Sequence, residues 1–255
     1  MDVVVLVKYI PDPTGTPKLG PDHRLVREGV EGALDPGDEH GVEAGLKLVE
    51  QAGGEVTVIS MGPEPAAAGI RRALSMGAHK AVHIVDDALR GADALATARV
   101  LAKAIGRQPF DLVLSGVEST DGYTGTLPMT IAELLGVPSV TFARKLDHAN
   151  GSIRIERQTE MGYDVVESPL PALVTLTAGA NDPRYPTLKG IMQAKSKPLE
   201  KLSVSDLGLS ADEVRASQEI MGVEPVPAKG AGEIVEDPSA APGKVVDVLT
   251  QAKVI

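Results

Sequence analysis

The glycine-rich stretch of residues 116–128 has the residue types and spacing best suited to binding a ligand. Its glycines let the backbone approach a ligand closely and adopt positive φ angles. An apolar run with helical character follows, so free N–H groups near Thr126 and Leu127 would face outward at the positive end of a helix. We therefore predict that this loop binds an anion, most simply a phosphate group.

The spacing of this loop leaves another interpretation open. Ser119, Thr120 and Asp121 could cap the following helix, which would make the loop an ordinary surface turn. The loop matches neither the P-loop pattern nor G-x-G-x-x-G. Ser119 also lies outside the G-x-S-x-G context of a hydrolase nucleophile. The five histidines form no recognisable metal-binding motif, so no metal site is predicted.

A second distinctive stretch, residues 182–197, has the character of a surface that another protein binds. Two prolines stiffen the approach to Leu188, which begins a short helix-like run. We expect Ile191 and Met192 to turn toward the domain, with Leu188 exposed at the tip or, alternatively, folded under its own loop. A local cluster of lysines favours an acidic partner surface; these are Lys189, Lys195, Lys197 and Lys201.

Composition excludes several classes of function. The chain of 255 residues has no cysteine, which rules out disulfides and thiolate-held metals or clusters. A net charge of -10 and 2% aromatic residues argue against nucleic acid as a partner. No apolar run approaches the ~20 residues that span a bilayer, so direct membrane insertion is not expected. The first residues form a strand-like run with no targeting segment, which predicts a cytoplasmic location or, alternatively, a matrix-side protein that has already been processed.

Strand and helix signals alternate over the first 140 residues. Short apolar runs predict buried strands, and apolar residues at helical spacing between them predict helices. The predicted strands are residues 3–8, 55–61, 80–85 and 111–115. Buried strands separated by helices indicate a Rossmann-like α/β fold with a doubly wound, mainly parallel sheet. The glycine-rich loop then follows the fourth strand, at the carboxyl edge where such sheets bind ligands.

The pattern changes beyond Val137 to shorter, alternating strands. Predicted strands at 140–146 and 152–157 flank Asn150-Gly151, a strong hairpin signal, so we expect a hairpin extension of the sheet. A further strand is predicted at 172–176. After about residue 207 prolines and glycines dominate, which predicts an extended arm ending in a helix over residues 244–252.

These features resemble the beta subunit family of electron transfer flavoproteins. Residues 181–195 fit the family pattern N-x-P-R-Y-x-T-L-x-x-I-M-x-A-K almost residue for residue. The resemblance covers most of the chain, because further segments match in the same order. These segments are residues 5–8, 35–44, 60–63, 72–78, 116–127 and 206–208.

The resemblance implies an adenine nucleotide in this subunit. It would be a structural AMP or, as in the electron-bifurcating members, a second FAD beside an NADH site. The implied cofactor-binding residues are Leu6, Asp35, Pro36, Met61, Gly116, Ser119, Thr120, Asp121, Gly122, Tyr123, Thr124, Gly125, Thr126 and Leu127.

The resemblance also implies a heterodimer in which the alpha subunit holds most of the redox FAD. Electrons would come from acyl-CoA-type dehydrogenases and pass toward a quinone oxidoreductase, and this chain would have no catalytic residues of its own. The implied recognition residues are Tyr185, Leu188, Ile191, Met192 and Lys195.

The expected organisation is a nucleotide-binding α/β domain over residues 1–207, with a recognition loop at about 181–201. The arm, residues 208–255, would contact the alpha subunit through its terminal helix. A competing interpretation is a nucleotide sensor like the universal stress proteins, with the pattern G-x2-G-x9-G-[ST]. Gly122 and Gly125 begin that spacing, but the third glycine would fall on Leu135.

Overall fold

A computed structural model describes residues 1–149, 151–224, 226–227, 230 and 232–255. The chain divides into two compact units, Met1–Ile220 and Met221–Ile255. The first contains all the strands and five of the helices found in the described residues.

The strands, in chain order, are β1 (Asp2–Leu6), β2 (Tyr9–Pro11), β3 (Gly32–Leu34), β4 (Glu55–Met61), β5 (Lys80–Ile84), β6 (Leu112–Gly116), β7 (Ser139–Ala149), β8 (Ser152–Thr159), β9 (Gly162–Pro169), β10 (Ala172–Leu176) and β11 (Leu199–Leu202). The helices are α1 (Pro36–Ala52), α2 (Ala67–Met76), α3 (Ala94–Ile105), α4 (Leu127–Leu135), α5 (Leu188–Ala194) and, in the second unit, α6 (Ala241–Gln251).

Nine strands form one sheet in the order β11-β5-β4-β1-β6-β10-β7-β8-β9. The seven from β11 to β7 are parallel to their neighbours, and β8 and β9 then pair antiparallel. This arrangement confirms the Rossmann-like, mainly parallel α/β fold with a hairpin extension. Asn150 of the predicted turn lies outside the described residues, but Ala149 and Ser152 on either side of it pair.

The core has two layers because each central strand is buried on both faces. On one face, Val5 and Val58 pack with Leu46 of α1 and Ile70 of α2. The opposite face packs Ile59, Val113 and Leu173 against Ile105 of α3 and Ile131 of α4. Both layers are built from aliphatic side chains, as the low aromatic content requires.

Three features differ from the expected strand layout. β10 does not follow β9 in space but returns between β6 and β7, so the hairpin extension projects from the sheet edge. β11 adds an unpredicted parallel edge strand beside β5. The short strands β2 and β3 form a separate antiparallel pair.

Residues 208–220, predicted as the start of the arm, lie in the first unit. Val214 is fully buried there, and Ser217 donates from its amide and its hydroxyl to Asp93, both at 2.7 Å. In the second unit, α6 has no buried residue, and Lys244 pairs with Glu233 at 2.9 Å.

Candidate functional site

The glycine-rich loop lies at the carboxyl edge of the central strands. Leu6 ends β1, Met61 ends β4 and Gly116 ends β6, and these three strands are neighbours in the sheet. The loop leaves β6 and enters α4 on the face where Ile131 packs. The structure therefore brings the predicted residues of three separate segments to one edge, where parallel α/β sheets bind ligands.

Asp35 fastens the middle of this loop to the start of α1. Its carboxylate is fully buried and accepts from the Gly37 amide at 3.0 Å, as an N-cap does. It also accepts from the Thr120 amide at 2.6 Å and the Thr120 hydroxyl at 2.8 Å. One buried side chain thus fixes both a helix start and the loop.

Asp38, one turn further along α1, holds the two strand ends beside the loop. It accepts from the Lys8 amide at 2.7 Å and from the Gly116 amide at 3.3 Å. Burial, together with the nearby negative charge of Asp35, raises the pKa of Asp38 to about 8. Asp38 therefore holds a proton at neutral pH while still accepting both hydrogen bonds.

Asp121 is a third buried carboxylate and is held by two cations. The Lys8 Nζ donates to it at 2.7 Å, and the Arg27 guanidinium bonds its other oxygen. Lys8 also donates to the Ser119 hydroxyl at 3.2 Å. Burial raises the pKa of Asp121, but Lys8 and Arg27 outweigh it and hold this pKa below its usual range.

These contacts show that the helix-capping interpretation is wrong. Ser119, Thr120 and Asp121 bond to Lys8, Asp35 and Arg27 rather than to α4. Thr126 precedes α4, and its side chain makes no capping hydrogen bond. The polar side chains therefore hold the loop from within, and the N-terminal end of α4 stays available to an anion.

The outer part of the loop has the backbone that close approach requires. Gly125 has a φ of 61°, and Tyr123 has the unusual value of 47° for a residue with a side chain. Tyr123 and Thr124 are exposed. A Cβ atom on Gly125 would stand 3.3 Å from the Glu118 carboxylate, so any side chain here meets both backbone strain and a neighbouring charge.

Sequence reasoning missed three residues of this site: Lys8, Arg27 and Asp38. Two of them had a signal, because Lys8 stands at the carboxyl end of a strand and Asp38 follows Asp35 by nearly one helical turn. Arg27 reaches Asp121 across 94 residues of sequence, and such a distant pairing has no local pattern.

The recognition segment, residues 181–201, begins with an anchored stem. Arg184 donates through Nε to the buried Glu43 at 2.7 Å and through its guanidinium to Glu50 at 3.1 Å. These two carboxylates raise the pKa of Arg184 further above its already high value. Asn181 donates to the His40 carbonyl at 3.0 Å. The stem is thereby tied to α1 by charge-assisted bonds.

The tip of the segment exposes its apolar side chains. Thr187 caps α5, accepting from the Gly190 amide at 3.1 Å. Tyr185 is 87% exposed, Leu188 76% and Met192 68%, and Ile191 is also exposed. Leu188 is therefore not folded beneath its loop. The expectation that both following apolar residues turn toward the domain is wrong for Met192, whereas the half-exposed Ile191 faces α2 in part.

Two of the four clustered lysines have structural partners. Lys197 donates to the carbonyls of Leu74 and Ala78, at 2.9 and 2.6 Å, and burial lowers its pKa. It therefore holds the segment to the C-terminal end of α2. Lys201 pairs with Glu64 at 2.7 Å. Lys189 and Lys195 are exposed and make no ion pair within the described part of the chain.

Among the described residues, no group of three or more histidine and acidic side chains is arranged to hold a metal ion. None of the described helices is both long and apolar enough to cross a membrane.

The fold, with a loop at the carboxyl edge of a parallel sheet, defines the chain as a Rossmann-like α/β protein. Residues 22–207 match the electron transfer flavoprotein domain. The chain is 40% identical to the electron transfer flavoprotein subunit beta of Mycobacterium tuberculosis (strain ATCC 25618 / H37Rv) over all of this chain and 99% of that protein. It is 37% identical to the Bacillus subtilis (strain 168) protein of the same name, over 91% of each. It is also 36% identical to the caffeyl-CoA reductase-Etf complex subunit CarD of Acetobacterium woodii, over the full length of both.

The chain belongs to the electron transfer flavoprotein family. Its place among the beta subunits gives it a role in electron transfer that involves a flavin and an alpha subunit partner. Subunits of this kind are electron transfer proteins. This assignment disfavours the universal-stress-like alternative.

Proposed function

We propose that the chain is the beta subunit of a heterodimeric electron transfer flavoprotein that docks acyl-CoA-type dehydrogenases through residues 181–201. Electrons then reach FAD held mainly by the alpha subunit and pass on to a quinone oxidoreductase. The observation that carries this proposal is Leu188, an exposed leucine on a stem fixed by Arg184. An apolar side chain held in place before binding loses little entropy when a partner pocket covers it.

The second part of the proposal is that the loop of residues 116–127 binds an adenine nucleotide. The uncapped N-terminal end of α4 suits a phosphate group, because its free N–H groups donate to anions. The Glu118 carboxylate, close to Gly125, suits a hydroxyl donor such as a ribose. Ser119, Thr120 and Asp121 would support the nucleotide through the loop backbone, since their side chains already have protein partners.

The nucleotide in this proposal is AMP, with a second FAD as the alternative. The relative named as a subunit of a caffeyl-CoA reductase-Etf complex is the reason to test that alternative, in which this subunit would also have an NADH site. The glycine-rich loop admits a pyrophosphate as readily as a single phosphate.

Nucleotide release tests the proposal directly. The chain is co-expressed with its alpha subunit, the complex is purified and denatured, and the released nucleotides are separated by chromatography. We expect one FAD and one AMP per heterodimer. Two FAD molecules would instead support the alternative, and ATP from a stable homodimer would contradict the proposal.

Gly125→Asp tests where the nucleotide lies. The new carboxylate would repel a phosphate and remove the close backbone approach, so we expect nucleotide content to fall at least about fourfold. Gly53→Asp is the matched control, because Gly53 also has a positive φ, 75°, and no atom lies within 4 Å of the place that a Cβ atom would take. Unchanged nucleotide content in Gly125→Asp would contradict the phosphate assignment.

The third part of the proposal concerns the second unit, which we assign to contact with the alpha subunit. Val245, Val246 and Val248 are exposed on α6, and an apolar face of this kind is suited to binding another chain. Amide hydrogen exchange of the lone chain and of the heterodimer tests this. Residues 241–251 should gain protection in the heterodimer, and equal protection in both states would count against the contact.

A further inference from the structure

A cavity of about 250 Å³ lies between α2 and α5, beside the exposed tip of the recognition segment. Its lining mixes small apolar side chains with cationic ones. The lining residues are Ala68, Arg71, Arg72, Ser75, Ile191, Ala194 and Lys195.

The cations of this cavity differ in what they bind. Arg72 forms a salt bridge with Glu39, in which the Arg72 Nε lies 2.8 Å from the Glu39 carboxylate. Arg71 and Lys195 are exposed, and neither makes an ion pair with any residue that the structure describes. Two positive charges therefore share one cavity with no internal partner, on a chain whose net charge is -10.

The cavity is continuous with the apolar tip. Lys195 follows Leu188 by seven residues, which is close to two helical turns, so both lie on the same side of the segment. Ile191 lies between them and belongs both to the exposed apolar set and to the cavity lining. A protein that covers Leu188 would therefore cover this cavity as well.

We propose that Arg71 and Lys195 receive a carboxylate side chain of the dehydrogenase that docks at Leu188. The proposal rests on the docking role given above and specifies the chemistry of the partner surface. A glutamate or aspartate would make charge-assisted hydrogen bonds to both cations, while Ala68 and Ala194 would pack against its methylene groups. A partner with a lysine at that position would be repelled, so the cavity contributes specificity as well as attraction.

The test uses the complete heterodimer, with Arg71→Gln, Lys195→Gln and the double variant. Each is reduced by a purified acyl-CoA dehydrogenase of the same organism and its acyl-CoA substrate, at several ionic strengths. Lys103→Gln is the matched control, because Lys103 is an exposed cation of α3 on the opposite face of the sheet. Each single substitution removes one positive charge, as Lys103→Gln does, and the double variant removes two.

We expect each single substitution at the cavity to raise the apparent KM about three- to tenfold, with more in the double variant and an unchanged kcat. The KM of the double variant should also depend less on salt than that of the wild type. Lys103→Gln should behave as wild type, and flavin content should be the same throughout.

The result that overturns this inference is a double variant indistinguishable from Lys103→Gln. If Leu188→Ala still raises the KM under those conditions, docking at the recognition segment stands and only the carboxylate site is wrong. If Leu188→Ala is also without effect, the docking role itself is wrong.

Discussion

The glycine-rich loop and the recognition segment follow neighbouring strands, β6 and β10. They differ in which side chains are buried and which are exposed. In the loop, polar side chains turn inward to the buried Asp35 and to Lys8, which leaves backbone groups for a ligand. In the recognition segment, Arg184 fastens the stem and leaves apolar side chains outside. Backbone groups suit a small anion, whereas exposed leucine and methionine suit a protein surface.

This difference predicts how the two regions respond to substitution. Changes to the buried carboxylates at the start of α1 that hold the loop leave buried donors without an acceptor, so they should lower stability and nucleotide content together. Changes at the exposed tip remove area that is buried only in a complex, so they should alter docking alone.

The largest effect that we expect is a dependence of stability on pH caused by Asp38. The pKa of Asp38 is about 8 in the folded protein and about 3.8 when unfolded, so between these values the folded protein holds a proton that the unfolded chain has released. Stability is therefore highest below pH ~4 as far as Asp38 is concerned, and it falls as pH rises toward 8. The slope approaches about 1.4 kcal/mol per pH unit.

Melting temperatures of the heterodimer between pH 5 and 9 measure this effect. Asp38→Asn has no titrating group at this position, so its melting temperature should decline less over that range than that of the wild type. It should also be lower at pH 5, since an amide keeps only one of the two acceptor oxygens. Parallel curves for both proteins would show that Asp38 is already ionised in the folded state.

Asp35→Ala should produce the next largest effect. It leaves the Gly37 amide, the Thr120 amide and the Thr120 hydroxyl without their acceptor. We expect a loss of about 2–4 kcal/mol, or several degrees in melting temperature, and a fall in nucleotide content. Asp212→Ala, at an exposed position, is the control. A variant with normal stability but little nucleotide would mean that Asp35 binds the ligand directly.

Leu188→Ala should leave stability alone and weaken docking. Covering a leucine removes apolar area worth roughly 1.5–3 kcal/mol, which corresponds to about a ten- to hundredfold rise in the apparent KM for a dehydrogenase. Leu95→Ala, at an exposed leucine of α3, should have no such effect. A marked fall in melting temperature with unchanged kinetics would make the segment structural rather than a docking surface.

The central sheet could be predicted from the sequence, because β1, β4, β5 and β6 are short buried runs separated by amphipathic helices. The exposed Leu188 could be predicted as well, from the prolines that precede it. The strands β2 and β3 are only three residues long, too short to show a period of two. β11 is half exposed and has no continuous apolar run.

The internal contacts of the loop could not be predicted from the sequence, for a different reason. Asp35 and Thr120 are separated by 85 residues, and Arg27 and Asp121 by 94, so only the strand order brings each pair together. Asp35 was predicted as a ligand contact from family resemblance, but its carboxylate is occupied by protein donors. A role in binding the nucleotide directly stays a prediction for this residue.

The smallest effect that we expect comes from the contact beneath the recognition segment. Gly190 lies so close to α2 that a Cβ atom there would stand 2.4 Å from the Ser75 carbonyl oxygen. That oxygen belongs to the backbone, which cannot move as a side chain would. Gly190→Ala should therefore lift α5 away from α2, although alanine by itself favours a helix by about 1 kcal/mol.

The displacement moves Leu188 without altering it, so we expect the apparent KM to rise about three- to fivefold, less than in Leu188→Ala. Lys197 still ties the far end of the segment to the Leu74 and Ala78 carbonyls, which limits the fall in melting temperature to about 2 °C. Gln193→Ala is the matched control, because Gln193 is exposed on the same helix. Wild-type kinetics in Gly190→Ala would mean that docking tolerates a shifted helix, and the fixed position of Leu188 would then contribute nothing to recognition.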